Sequence, residues 1–167
     1  MRRPRGAGAV RLLVLDVDGV LTDGGLCYGP AGEDTKRFHV HDGLALQAAG
    51  AAGLAIAVVS GRSSVAVTRR MAELGITEVH QGASDKVAVL EALLGRLGLR
   101  PAEVAVMGDD LPDLPVMQRA GLALAPANAV PEVRRAADWV SRRPGGGGAV
   151  REAVEMLLGA RWRRPPD

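Results

Sequence analysis

Four short apolar runs, Leu12–Leu15, Leu54–Val59, Val104–Met107 and Leu122–Ala125, constrain this 167-residue chain more than any other feature. Each is bounded by turn-forming or polar residues, as expected of a strand buried on both faces. Glu78–His80 and Asp138–Val140 are weaker candidates of the same kind. Between them the spacing predicts helices over about 43–51, 63–74, 84–97, 113–120, 130–136 and 149–159. Regular alternation of strand and helix requires a parallel sheet covered on both sides: an α/β, doubly wound, Rossmann-like domain of three layers. A chain of this length buries about 70% of the surface that its unfolded form exposes, so it folds without a disulfide or a structural metal. One domain is expected, with a core at about 11–159 and basic tails at 1–10 and 160–167.

One stretch breaks the alternation. Residues 25–28 and 35–40 flank Gly29-Pro30-Ala31-Gly32-Glu33-Asp34, which reads as a β-hairpin projecting just after the first strand. A lone hairpin is marginal in water, so this one is expected to pack against another subunit. The chain leaves no room for a separate cap domain.

Charge and composition remove several function classes. The formal charge of +2 comprises +4 on the first eleven residues and +2 on the last seven, leaving −4 on residues 12–160. An acidic body with basic ends is a poor binder of a phosphate backbone. Aromatic residues are only 2%, too few for the stacking platforms that single strands need. The single cysteine, Cys27, rules out a disulfide framework and a thiolate zinc cluster. No apolar run approaches the ~18–20 residues of a membrane span, and the N-terminus lacks the apolar core of a secretory signal. The expectation is a soluble cytoplasmic protein with no nucleic-acid or membrane partner.

Ligands of open parallel sheets bind at the carboxyl ends of the strands, and there the polar residues collect. After the first run comes Asp16-Val17-Asp18-Gly19-Val20-Leu21-Thr22-Asp23. Carboxylates two residues apart on extended chain project to one side, where a cation or a shared proton must relieve them. Ser60-Gly61-Arg62 follows the second run and reads as an anion seat opening a helix. Lys86 stands in the first turn of a helix, where the macrodipole disfavours it. It is one of only two lysines beside 19 arginines, and its compact charge suits a crowded carboxylate–phosphate site. Gly108-Asp109-Asp110-Leu111-Pro112-Asp113 offers hard oxygen ligands of the kind Mg²⁺ prefers, and also a good helix start.

In this order the four clusters resemble the haloacid dehalogenase superfamily of phosphohydrolases, over Arg11 to about Leu158. The likeness is greatest to its capless, tetrameric branch of acidic-sugar phosphatases. Lys36-Arg37-Phe38-His39-Val40-His41-Asp42-Gly43, Leu74-Gly75-Ile76-Thr77, Gln81-Gly82, Asp113-Leu114-Pro115-Val116-Met117 and Gly148-Ala149-Val150-Arg151-Glu152 add to it. The resemblance implies a phosphomonoesterase acting on 3-deoxy-D-manno-octulosonate 8-phosphate, or else on a nine-carbon, sialic-acid-type 9-phosphate. A non-catalytic tetramerisation module is the alternative of another class, opposed by the full set of catalytic residues.

The resemblance also implies roles. Asp16 would be the nucleophile, Asp18 the general acid and base, and Lys86 the third catalytic residue. Mg²⁺ would be held by Asp16, the backbone carbonyl of Asp18, and Asp109, with Asp110 supporting the metal and Asp113 orienting Lys86. Ser60, Gly61, Arg62 and His41 would bind phosphate or sugar. Two positions depart from the branch, His41 and Gly147 within Gly145–Gly148, where relatives often carry cations; Arg37, Arg62 and Arg151 are candidate replacements. The hairpins of four subunits would associate so that a neighbour covers each site. Trp162 could anchor the C-terminal segment over such a site.

Overall fold

Leu12–Leu15 form β1, and their alternation sends Leu13 and Leu15 into one apolar core and Leu12 and Val14 into another. The chain continues through β2 (Cys27–Tyr28), β3 (Asp34–Thr35), α1 (Val40–Ala51), β4 (Ala55–Val59) and α2 (Val65–Glu73). It then forms β5 (Glu78–His80), α3 (Lys86–Leu97), β6 (Val104–Met107), α4 (Leu114–Arg119) and β7 (Leu122–Ala125). α5 (Pro131–Ala136), β8 (Trp139–Val140) and α6 (Ala149–Leu158) complete the fold. The computed structural model describes residues 3–30, 32 and 34–163. Met1, Arg2, Ala31, Glu33 and residues 164–167, which the sequence assigns to the tails and the hairpin turn, lie outside these.

Six strands make one parallel sheet in the order β5-β4-β1-β6-β7-β8. α1, α2 and α6 pack on one face, through residues such as Leu46, Met71 and Val154. α3, α4 and α5 cover the other, through Leu90, Met117 and Val133. The three-layer expectation therefore holds. From β1 the chain winds outward through β4 to β5, then returns to lay β6 on the opposite side of β1. That reversal is the switch point at which open α/β sheets form their crevice. The segments after β1 and β6 meet there, tied by the Asp16 N–H donating to the Met107 carbonyl at 3.1 Å.

Three expectations need correction. The hairpin is shorter than its two runs: only Cys27–Tyr28 pairs with Asp34–Thr35, and Val40 opens α1 instead of ending a strand. α1 begins here because the His39 ring Nδ1 accepts the His41 N–H and caps the helix. Residues 3–10 are not a loose tail. Ala7 and Val10 are buried, and the Arg3 guanidinium donates to the Met156 and Leu157 carbonyls at 3.0 and 2.6 Å. Those carbonyls belong to the last turn of α6, which lacks helical partners and attracts a cation. Third, Ser60–Arg62 does not open α2, which begins only at Val65. Among the described residues no helix is long and apolar enough to cross a membrane.

Candidate active site

Each polar cluster leaves the carboxyl end of its own strand: Asp16 after β1, Ser60 after β4, Asp109 after β6. Lys86 begins α3, whose cap residue Asp85 accepts the Val87 and Ala88 N–H groups at 2.9 and 3.0 Å. These elements meet around one cleft of about 370 Å³, lined by Asp16, Asp18, Ser60, Gly61, Arg62, Lys86, Asp109, Asp110 and Asp113 among others. A larger groove of about 500 Å³ lies beside it, sharing Arg62 and bordered by Tyr28, Ser64 and Gln81. No lysine lines it and Asp34 is its single acidic lining residue, so the chemistry belongs to the smaller cleft.

The Lys86 ammonium sits between two carboxylates, 2.6 Å from Asp16 Oδ1 and 2.6 Å from Asp113 Oδ1. Burial works against its charge, but the Asp16 and Asp113 carboxylates outweigh that and raise its pKa above the ordinary lysine value. The same pairing offsets its unfavourable place in the first helical turn. Asp113 is 3% exposed, and its other oxygen accepts the Asp109 and Asp110 N–H groups at 3.0 and 3.3 Å. One carboxylate thus fixes both the lysine and the loop after β6. Gly108 makes this possible, because a Cβ there would lie 2.4 Å from the Asp113 Cβ.

Asp16, Asp109 and Asp113 bring carboxylate oxygens within 4.8 Å of one another. Both oxygens of Asp113 are engaged, whereas Asp16 gives only Oδ1 to Lys86, so Asp16 and Asp109 are the better placed to take a cation. Burial, followed by the Asp113 charge, raises the pKa of Asp16 to about 6 against the pull of Lys86. Burial, followed by the Asp16 charge, raises that of Asp109 to about 7. Hard oxygen donors whose charges are mutually unfavourable suit a divalent cation, which relieves both penalties at once. Room for Asp109 comes from Gly19, which has φ +96° and whose Cβ, if present, would lie 2.0 Å from the Asp109 carboxylate.

Ser60 is 3% exposed; its N–H donates to the His80 carbonyl, and its Oγ accepts the Arg62 N–H at 3.2 Å. The seat is therefore a loop turned on itself rather than a helix terminus. Asp110 is exposed, and its side chain accepts the Leu111 N–H at 2.7 Å, capping the turn at Leu111–Asp113. His41 does not line this cleft. It lies exposed on the first turn of α1, 4.9 Å between ring centroids from His39.

Two contributors were not assigned roles from the sequence. Lys36, the second of the two lysines, is paired with Asp18 and lies 3.7 Å from Asp34. Its rarity, used above to single out Lys86, marks it equally. The glycine run is the other: a Cβ on Gly145 would lie 1.7 Å from the Gly19 carbonyl oxygen, so this segment closes directly against the Asp16–Asp23 loop. Trp162 packs against its own chain's core, with the Arg151 guanidinium 5.4 Å from its ring.

A family model described as haloacid dehalogenase-like hydrolase matches residues 75–152. The 3-deoxy-D-manno-octulosonate 8-phosphate phosphatase KdsC of Escherichia coli K12 is 46% identical over 149 residues, 89% of this chain and 79% of that protein. The crystal structure of the corresponding phosphatase from Moraxella catarrhalis holds a magnesium ion, a phosphate ion and a KDO molecule. It matches with a TM-score of 0.90 at 42% identity, covering 93% of this chain and 90% of that one. The Yersinia pestis phosphatase matches with a TM-score of 0.91 at 41% identity, covering 94% and 85%.

Proposed function

The chain belongs to the haloacid dehalogenase-like hydrolases, among the 3-deoxy-D-manno-octulosonate 8-phosphate phosphatases, and on that basis we propose that it is a Mg²⁺-dependent phosphomonoesterase releasing phosphate from that sugar acid. The observation that carries the reading is the Asp16–Lys86 contact in a cleft shared with Asp18, Ser60 and Asp109, residues far apart in the chain.

In this mechanism an Asp16 oxygen attacks phosphorus and becomes an aspartyl phosphate as the bond from phosphorus to the sugar oxygen breaks. Asp18 gives its proton to the departing oxygen, then takes one from the water that hydrolyses the intermediate. Ser60, the Gly61 N–H and Lys86 hold phosphate oxygens and stabilise the charge gathered there in the transition state. Arg62, at the border of the cleft and the adjoining groove, holds the sugar end. Asp113 orients Lys86. Mg²⁺, bound by Asp16, Asp109 and the Asp18 carbonyl, shields the nucleophile from the phosphate's negative charge when present.

The assembly in this reading is a homotetramer joined through the 25–40 hairpin, each site covered by a neighbour. Leu26, Tyr28, Val40, Leu44 and Val65 are exposed apolar side chains on or near that region, which supports it. The test is phosphate release from the eight-carbon 8-phosphate and a nine-carbon 9-phosphate, with Mg²⁺ and with chelator. The expected result is Mg²⁺-dependent turnover with higher kcat/KM for the eight-carbon ester. Preference for the longer sugar would reassign the substrate, and no release from either would remove the enzymatic reading.

A further inference from the structure

Resting on that proposed function, we infer that Lys36 is a positioning residue for the general acid: it holds one oxygen of Asp18 so that the other faces the leaving group. The Lys36 side chain is only 2% exposed, which is unusual for an ammonium and requires paired carboxylates. Its partners are Asp18 Oδ1, in direct contact, and Asp34 Oδ2 at 3.7 Å. Asp18 Oδ2 is buried and has no hydrogen-bond partner among the described residues; Arg62 Nε lies 3.8 Å away. The carboxylate is thus asymmetric, one oxygen committed to Lys36 and the other left over in a residue that lines the catalytic cleft.

The anchor is itself anchored. Asp34 Oδ1 accepts the Ser64 hydroxyl at 3.0 Å, the Ser64 N–H donates to Gln81 Oε1 at 2.7 Å, and Gln81 Nε2 donates to Thr68 Oγ at 2.9 Å. This chain of contacts runs from α2 through the hairpin to Asp18. Lys36 is not among the residues lining the cleft, so it acts on the ester only through Asp18. In the step concerned, the proton on Asp18 Oδ2 passes to the ester oxygen as its bond to phosphorus breaks and the Asp16 oxygen bonds to phosphorus. Lys36 keeps its own protons. A proton donor displaced by about 1 Å can cost about 100-fold, so fixing its rotamer matters.

The experiment compares wild type with Lys36→Gln on 3-deoxy-D-manno-octulosonate 8-phosphate, phenyl phosphate and p-nitrophenyl phosphate at saturating Mg²⁺. The parameter is kcat/KM, which stops at departure of the leaving group and so omits the later work of Asp18 on water. Wild-type turnover of the sugar phosphate reports on the proposed function alone; if that is absent, the function fails independently of Lys36. Lys36→Gln is expected to lose roughly 10- to 100-fold on the sugar phosphate, because an alkoxide needs a proton to leave. Phenyl phosphate is expected to lose less, and p-nitrophenyl phosphate about threefold or less, because nitrophenolate departs unaided. Ratios taken within one preparation do not depend on the fraction folded, and Lys36→Met is expected to give the same ordering. Equal losses on the three esters, or none on the sugar phosphate, overturn the assignment.

Discussion

At Asp16 and Asp109 burial and like charge act together, and the consequence can be measured. Both pKa values are raised from 3.8, to about 6 and about 7, so the metal-free folded chain binds these protons more tightly than the unfolded chain does. Their stabilising contribution is complete below about pH 4 and is lost as pH rises through those two values. Mg²⁺ competes for the same oxygens, so its stabilisation grows over that window. Melting temperatures with and without Mg²⁺ at pH 5 and pH 8 are expected to show a larger metal-induced rise at pH 8. Each pH carries its own metal-free control, so the difference isolates the contribution of the metal at these carboxylates. At Asp16 itself, Asp16→Asn removes the nucleophile while keeping its shape. Turnover is expected to fall at least about 10⁴-fold with the melting transition still cooperative. Wild-type phosphate release from that variant would end the aspartyl-phosphate mechanism.

Among the elements, α6 shows how one helix borrows what its sequence lacks. Its cap position is Gly148, which has no side chain to accept the first N–H groups. Asp42, buried on α1, supplies the acceptor: its Oδ1 takes the Arg151 N–H at 2.7 Å. Burial raises the Asp42 pKa, opposed by that hydrogen bond. The contact ties α1 to the first turn of α6, which directly follows the glycine run that closes on the loop after β1. Asp42→Ala is expected to destabilise the chain by about 1–2 kcal/mol, read from urea denaturation midpoints. An unchanged midpoint would mean that the helix end is satisfied another way. The hairpin is the opposite case, since its two short strands bury little of their own. It is held instead by Lys36 on Asp18 and by Asp34 on Ser64.

For the whole molecule, the proposed tetramer and the open cleft belong together. Val65 is 83% exposed at the start of α2 and borders the same groove as Tyr28. An aliphatic side chain so exposed beside the hairpin is the natural place for a second copy to cover. Light scattering is expected to give four times the chain mass of 17.3 kDa for wild type. Val65→Asp is expected to lower that mass and turnover together, because a site without its neighbour admits water. A wild-type monomer with full activity would exclude the assembly.

Much of this protein was readable in one dimension. The strands at Leu12–Leu15, Val104–Met107 and Leu122–Ala125 have the bounds that their apolar runs predict, since each run is local and bounded by residues that cannot continue it. That Asp16, Ser60, Lys86 and Asp109 gather around one cleft was likewise legible, because ligands of such sheets meet the ends of strands. The tertiary structure alone decided which strands adjoin, and hence that the segments after β1 and β6 share a crevice. It also decided that Lys36 reaches Asp18, that Arg3 caps α6, that Gly145 meets Gly19, and that His41 does not line the cleft. Those outcomes depend on packing between elements far apart in the chain, where periodicity carries no information and only the mutual fit of the helices and the sheet sets the distance.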